Sequence, residues 1–537
     1  MQKICIDLKE FKTIRQDGGV YVDKTKHIYD IFGQGIYFFL ARPRRFGKSL
    51  LCSTLAELFS GNRELFKGLW IDQSSWEWIK YPVIRLDMSS AAGKTSTVSD
   101  VRTKIVNLLQ SNATALGVGH VDLAAPSTMF NQLIEKAKAL YGQNVVAVID
   151  EYDKPLLDVI DDVERRKEIH KELSDLYSQL KPAEENLRCV LITGVFKFTQ
   201  TSIFSGLNNL NDITFDPNAA ALVGYTEDEM RHFFAEHLAA LAAKNRLSVD
   251  EMMAQLQAKY NGYNFGVDID TKTLFGGVYN SFAINYVFAK QQLLDKWFAS
   301  GTPTALIKKL AAERLQALTP SQLLVNFRLL EQSCSPDDLS TGLLLYYAGY
   351  LTMKACTGSS LRTMLTLDFP NASVAMAFSE ALLPEVMNLQ NTTVSRLVFE
   401  LQNVLCDQQL DQLQELLNDA LANVSYTLLP KGDERPAREN MYQIIFTILF
   451  TACGVRVTTE EHTNRGRIDM VLEVEDMVYV VELKMDQPAA VAMAQIKEKE
   501  YSAKFKHTGK QLYAVGIAVN TETRSVAEVV WEQLLQG

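Results

Sequence analysis

The sequence has no C-x-x-C pair, no paired histidines beside its cysteines and no long apolar run. Its seven cysteines, Cys5, Cys52, Cys189, Cys334, Cys356, Cys406 and Cys453, are odd in number and widely spaced. That pattern excludes a zinc ribbon and a disulfide framework, and the cysteines read as small core residues. No stretch reaches the ~18 apolar residues that a membrane span requires. Met1–Glu10 lacks the apolar segment of a signal peptide, so a cytoplasmic protein without a membrane partner is expected. An excess of positive charge is missing as well. The formal net charge of −10 argues against the whole molecule coating nucleic acid or an anionic membrane, while leaving a local basic groove open. There is neither an internal repeat nor a low-complexity segment.

What is present is an ordinary globular composition, 47% hydrophobic and 22% charged, over 537 residues, too long for one core. From the N-terminus to about Pro217, apolar runs at Ile36–Ala41, Pro82–Leu86, Val145–Ile149 and Cys189–Thr193 alternate with helical patterns, which predicts βα units and a parallel sheet. From about Ala219 to Leu429 the pattern is mostly helical, as in Glu227–Lys244, Val249–Tyr260 and Ser395–Leu421. The pair Leu343–Leu351 and Leu361–Phe369 predicts a helix followed by a β-hairpin, as in a winged helix. The charged, turn-rich Pro430–Pro436 marks a boundary, after which the order is helix, two strands, helix, strand. The predicted domains are 1–217, 218–430 and 431–537.

The run Ile36–Ala41 leads directly into Arg42-Pro-Arg-Arg-Phe-Gly47-Lys48-Ser49 and the helical pattern Leu50–Phe59, the strand, loop and helix order of a P-loop. Gly47 lets backbone N–H groups approach phosphate, Lys48 reaches the β- and γ-phosphates, and the Ser49 hydroxyl holds Mg²⁺ at a helix N-terminus. The first glycine of G-x-x-x-x-G-K-[ST] falls on Arg42, so the loop is expected to be built differently, with Arg44 or Arg45 as extra phosphate donors. A second apolar run, Val145–Ile149, ends in Asp150-Glu151, placing two carboxylates where open α/β sheets bind ligands. Asp150 is expected in the Mg²⁺ shell and Glu151 at the attacking water; the plain alternative is that Asp150 caps the next helix. Thr193 or Lys197, after a further strand, would sense the γ-phosphate.

Tyr21-Val-Asp-Lys-Thr25, Arg42–Ser49, Ile149–Pro155 and Ser205–Leu210 together resemble the bacterial AAA-ATPase-like family, which carries the same Arg-rich loop without a first glycine. Tyr260–Tyr263 and Leu367–Asn371 look like further segments of such proteins. The resemblance implies an ATP-dependent P-loop ATPase with a helical lid, related in style to switch NTPases, and it places Asp23, Lys24 and Thr25 near the nucleotide.

Near the C-terminus, Gly466–Val474 and Met477–Lys484 flank Glu475-Asp476, a hairpin signal. If those two form the loop, Val474 faces Met477, Asp469 lies opposite Glu482, and Lys484 shares the face of Glu482. Opposed carboxylates repel unless positive charge lies between them. Mg²⁺ on Asp469 and Glu482 would lower the pKa of a water while Lys484 positions it and offsets phosphorane charge. Glu439 would add a metal-shell carboxylate, and Gln495 would orient the substrate backbone or Lys484. The plain alternative is an exposed hairpin. The D-x(n)-E-x-K spacing with the flanking Glu439 and Gln495 resembles the PD-(D/E)XK nuclease superfamily, which implies a restriction-endonuclease-like α/β domain, Mg²⁺ with Mn²⁺ as a substitute, and a nucleic acid partner, DNA ahead of RNA. Lys497, Lys499, Lys504, Lys506 and Lys510, otherwise a solvated face, would then reach phosphates near the metal.

The expected fold is thus α/β: a P-loop parallel sheet, a helical middle with a winged-helix element, and the nuclease-like domain. Three functions stay open, an ATP-gated nuclease, a nucleotide-driven binding or assembly platform with an inactive nuclease-like domain, and a plain housekeeping ATPase whose turnover is indifferent to the residues after Pro430; a homo-oligomer is compatible with the first two.

Overall fold

The computed structural model describes residues 1–534 apart from 34, 92, 94, 120, 122–124, 198–208, 295–322, 332–339, 360–361, 425–434 and 464, and the side chains of all described residues except 435–438 and 506. Cys334, most of the Ser205–Leu210 motif and most of the expected boundary at Pro430–Pro436 lie outside the described residues. The chain forms two compact units, one of Met1–Gly301 with Leu324–Asp368 and one built on Phe369–Gly537.

In the first unit the four apolar runs become strands β1 (Tyr37–Ala41), β2 (Val83–Asp87), β3 (Val145–Asp150) and β4 (Leu187–Gly194), joined by the two-residue β5 (Asn211–Asp212). They form a parallel sheet in the order β2-β3-β4-β1-β5. β1 and β3 are buried along their whole length, which is why they read as continuous apolar runs rather than as alternating patterns. β4 separates the phosphate-loop strand from the carboxylate strand.

The middle region is helical with two corrections. The pattern Glu227–Lys244 divides into Glu227–Phe233 and Ala235–Lys244, and Ser395–Leu421 into Asn391–Cys406 and Leu413–Ala422; the second break contains Gln408 at φ +61°. A hairpin of β6 (Tyr263–Asp268) and β7 (Thr273–Val278) also interrupts the helices. The expected helix and hairpin are found as Thr341–Ala348 followed by the antiparallel β9 (Thr352–Ser359) and β10 (Arg362–Asp368), with β8 (Leu323–Asn326) on the free edge of β10.

In the second unit, helix Arg435–Ala452 is followed by β11 (Arg456–Thr463), β12 (Gly466–Val474) and β13 (Met477–Met485). Helix Ala489–Glu498 then leads to β14 (Gln511–Asn520) and β15 (Ser525–Leu534). β11 and β15 are two strands more than the sequence reading gave; both are only partly buried, so neither carries a long apolar run. The sheet runs β11-β12-β13-β14-β15 with only β13 and β14 parallel. Ile468, Val471, Val478, Val480, Met493, Ile496 and Leu512 pack into its core, each burial contributing ~1.5–3 kcal/mol. Helices Asn391–Cys406 and Leu413–Ala422 belong to this unit: Tyr479 donates to Leu405 O, and Asn418 exchanges hydrogen bonds with the Val526 backbone at 2.7 and 2.9 Å.

Among the described cysteines, Cys5, Cys52, Cys189 and Cys453 are buried and Cys356 and Cys406 half-buried, all as free thiols. No described helix is long and apolar enough to cross a membrane.

Candidate functional site

Two constellations stand out, one in each unit. In the first, β1 delivers Arg42–Ser49 to the N-terminus of helix Lys48–Phe59. Gly47 is its N-cap residue at φ +101°, a conformation that an L side chain rarely adopts. Arg42, at the first-glycine position, is 1% exposed. Its guanidinium donates to the carbonyls of Ala41, Thr214 and Ala219 and stacks 4.5 Å from the Phe265 ring. Burial pulls its pKa down to about 10. Arg42 therefore braces the loop from behind. Arg44 is half-buried and close enough to influence Lys48 and Glu151 electrostatically. Arg45, at φ +69°, pairs with Asp7 at 2.7 Å and stacks on Phe282 at 4.5 Å.

Lys48 is buried, and its ammonium donates to Arg42 O at 2.9 Å and Pro43 O at 3.0 Å. Burial lowers its pKa, opposed by the charges of Asp150, Glu151 and Asp153. Asp150, at the end of β3, accepts from the Thr193 hydroxyl at 2.6 Å and from the Glu151 N–H at 3.1 Å. It caps no helix; the next one starts at Lys154. Glu151 is in the left-handed region at φ +52°, and burial raises its pKa against the pull of Lys48. Left-handed residues other than glycine concentrate at functional turns, and Arg45 and Glu151 are two of them. Thr193 is fully buried beside Asp150. Lys197 is turned away into a buried ion pair with Asp212. Ser49 is half-buried in the first turn of the helix.

The sequence reading missed Asp153. It is 1% exposed, and its Oδ2 accepts from the backbone N–H groups of Val195 and Phe196 at 2.9 and 2.7 Å. Tyr152 adds its N–H to Thr193 O at 3.0 Å and its hydroxyl to Phe196 O at 3.0 Å. The turn bearing Asp150 and Glu151 is thereby stitched to the end of β4. The only sequence signal was a third acid in Asp-Glu-Tyr-Asp. Of the residues carried over from the N-terminal motif, Lys24 lies near Gly47, while Asp23 accepts from Thr25 and from the Trp70 N–H. The arrangement suits a nucleoside polyphosphate: a helix N-terminus, a glycine loop with a lysine, and two carboxylates on the next strand but one.

In the second constellation, the hairpin turns at Glu475 (φ +46°), with Val474 opposite Met477 and Met470 opposite Val481. Asp469 then uses its side chain in place of a ladder bond, its Oδ2 accepting from Leu483 N at 2.8 Å. Glu482 is 0% exposed. Its Oε2 accepts from Gln495 Nε2 at 2.8 Å and lies 3.5 Å from Lys484 Nζ, while its Oε1 is buried without a partner among the described residues. Burial, then Asp469, raise the Glu482 pKa against Lys484. An unpaired oxygen on a buried acid beside a second carboxylate is a poor arrangement for the protein alone and a good one for a cation. Among the described residues, no group of three or more His, Cys, Asp or Glu surrounds one point, so these two acids form the core of the arrangement.

Glu439 is exposed at its helix start but raised in pKa by partial burial and then by Asp469, which places it at the margin. One turn on, Gln443 was missed: its amide donates to Asp469 O at 2.7 Å and Glu460 at 3.1 Å. Tyr501 was missed too; its hydroxyl donates to Arg467 O at 2.9 Å and lies 3.5 Å from Gln495 Nε2. The lysine run is largely committed elsewhere: Lys497 pairs with Glu532, Lys504 with Glu461 and Lys510 with Glu473.

A P-loop parallel sheet joined to a mixed sheet carrying an Asp, Glu and Lys hairpin defines an ATPase-like and nuclease-like two-part protein. Residues 5–204 match the family model described as predicted AAA-ATPase, and residues 437–529 match the PD-(D/E)XK nuclease superfamily model. The uncharacterized protein in the vnfD 5′ region of Azotobacter chroococcum mcd 1 is 35% identical over 539 residues, covering 99% of each chain. The chain belongs to the family of AAA-ATPase-like proteins that carry a C-terminal PD-(D/E)XK domain.

Proposed function

We propose that the chain is an ATP-binding and ATP-hydrolysing switch that controls a metal-dependent nuclease. The observation that carries this reading is Glu482, a fully buried carboxylate beside Asp469 with one oxygen unpartnered among the described residues, held by Gln495 and Lys484. In this reading Asp469 and Glu482 hold Mg²⁺ or Mn²⁺, with Glu439 at the edge of the shell. The cation supplies an acidified water at neutral pH. Lys484 orients the attacking water and offsets charge on the phosphodiester, and Gln495 keeps the Glu482 carboxylate aimed. In the first unit, Gly47, Lys48 and Ser49 hold ATP and its Mg²⁺, with Arg44 as a further phosphate donor. Arg45 joins them only by leaving Asp7. Asp150 completes the Mg²⁺ shell under the hold of Thr193, and Glu151 directs water. DNA is favoured over RNA as the substrate, in the cytoplasm, and a homo-oligomer is compatible with the reading.

The test incubates the full chain with single- and double-stranded DNA and RNA, in Mg²⁺ or Mn²⁺, with and without ATP, beside Lys48→Ala and Lys484→Ala. Cleavage lost in Lys484→Ala, and altered by ATP only when Lys48 is present, is the expected result. The absence of a three-ligand cluster among the described residues favours a second reading, a nucleotide-driven binding or assembly platform. Nucleic acid retention with intact ATP binding and no cleavage in either metal would establish that one instead.

A further inference from the structure

Arg467 lies on β12 two residues before Asp469, and strand alternation puts the two side chains on one face. Ile468 between them is fully buried in the core. Arg467 is near enough to Glu439 to act on that carboxyl electrostatically, so its guanidinium lies on the side of the sheet where the acids gather. Its side chain is 58% exposed, which lets a ligand reach it from solvent. The neighbouring cations are placed differently. Arg465 lies beyond the end of β12 and pairs with Glu500 at 3.0 Å, and Lys504 binds both Glu461 and His462 O.

The site fixes Arg467 at both ends. At the backbone, Tyr501 donates its hydroxyl to Arg467 O at 2.9 Å, and that hydroxyl lies 3.5 Å from Gln495 Nε2, which donates to Glu482 at 2.8 Å. Gly466 permits this approach: a Cβ there would lie 2.7 Å from the Tyr501 hydroxyl oxygen. At the side chain, Arg467 Nε pairs with Glu460 Oε2. The pairs Thr459–Met470 and Glu461–Ile468 leave Glu460 across from Asp469. Glu460 is at φ +57°, a conformation that a residue other than glycine keeps where its surroundings impose it. Gln443 supplies that hold, donating to Glu460 Oε1 at 3.1 Å and to Asp469 O at 2.7 Å through one amide nitrogen. An exposed ion pair contributes little to stability by itself. Links to both Asp469 and Glu482 exceed what such a pair needs.

The ion pair occupies Nε and leaves Nη1 and Nη2 of Arg467 without a partner among the described residues. Two fixed, parallel N–H groups match two oxygens of a phosphate. We infer that Arg467 is the phosphate clamp of the nuclease-like domain, its two Nη groups taking a backbone phosphate of a nucleic acid strand while Glu460 fixes the plane of the guanidinium. This rests on the reading of the domain as a nucleic acid site above. The contact is to the backbone, so it positions the strand and carries no sequence information.

Titration of two labelled duplex DNAs of unrelated sequence against the full chain, over a range of salt concentrations, tests the assignment. Lys484→Ala is present throughout as the parent, so that the strands stay intact. Arg467→Gln, which can still donate to Glu460, should weaken both duplexes equally and by at least about tenfold, the loss of one charged hydrogen-bonded contact. It should also flatten the slope of log affinity against log salt by about 0.9, the share of one phosphate contact. Arg467→Lys should keep the parent slope, since the charge remains, and still bind more weakly, since the fork is lost. Arg456→Gln removes an equal charge from the other end of β11, where Arg456 pairs with Glu473, and should leave slope and affinity at the parent values. An Arg467→Gln slope equal to the parent's, a loss confined to one sequence, or the same flattening in Arg456→Gln overturns the clamp while the domain remains a nucleic acid site. If Arg467→Gln fails to fold, Arg467→Lys decides, and parent-level affinity there overturns the clamp. If the parent and the wild type both bind neither duplex, the nucleic acid reading falls and the clamp falls with it.

Discussion

Glu482 and Asp153 are both buried acids, and they are buried for different ends. Asp153 spends its carboxylate on two backbone N–H groups at the end of β4, yet burial still raises its pKa from 3.8 to about 6. A carboxyl with a raised folded-state pKa favours the fold while protonated, so its contribution falls as pH rises through the window from about 4 to about 6. Asp153→Asn keeps an acceptor for the two N–H groups without the charge. The gain in melting temperature over wild type should therefore grow between pH 4 and 6 and level off above. A difference that is flat with pH would show that Asp153 is not burdened by its charge. Glu482 also has a raised pKa, and like Asp153 Oδ1 its Oε1 is buried without a hydrogen-bond partner among the described residues, but beside it lie a second carboxylate, Asp469, and Lys484. Glu482→Gln should leave the metal-free protein as stable or more so and abolish the rise in melting temperature that Mg²⁺ gives the wild type. A variant that Mg²⁺ still stabilises fully would place the cation elsewhere.

At the scale of elements, the turn at Glu475 decided how much of the second site was legible. Once two polar residues are placed in the loop, period-two alternation fixes Val474 against Met477 and brings Asp469 and Glu482 together without further information. Gln443 and Tyr501 were illegible because their bonds go to backbone carbonyls of Asp469 and Arg467, and no spacing rule announces such a partner. In the first unit, buried strands were legible as apolar runs, whereas β5, two residues long, is shorter than any periodicity. Arg42 looked like a defect in a phosphate motif; its three carbonyl partners lie at the adjoining end of β1 and more than 170 positions onward. The parallel crossover from β13 to β14 carries Gln495 on its helix, and Gly516 is where that helix touches the sheet: a Cβ there would lie 2.7 Å from Ala489 O. Gly516→Val should push the helix outward, destabilise the domain by about 2–3 kcal/mol as overpacking does, and loosen the bond from Gln495 to Glu482. Denaturant unfolding measures the first effect. A change under 0.5 kcal/mol, the ~±0.5 kcal/mol scale of ordinary surface changes, would refute the contact.

For the whole molecule, two compact units with separate cores predict unfolding in more than one step. Calorimetry should resolve two transitions. ATP with Mg²⁺ should raise one of them, and Lys48→Ala should lose that shift, since a ligand stabilises only the folded state it binds. A single transition shifted as a whole by ATP would mean that the units unfold together.

The first unit is also discontinuous in the chain, because Leu324–Asp368 belongs with Met1–Gly301. Asn264 holds Thr352 and Met353 through three hydrogen bonds, and Tyr263 donates to Gly349 O. During synthesis the phosphate loop leaves the ribosome long before those partners exist. At about 5–20 residues per second, the N-terminal sheet waits on the order of tens of seconds for its last segment, so a nascent chain must keep β1 and β3 shielded over an interval in which its own fold cannot yet be closed.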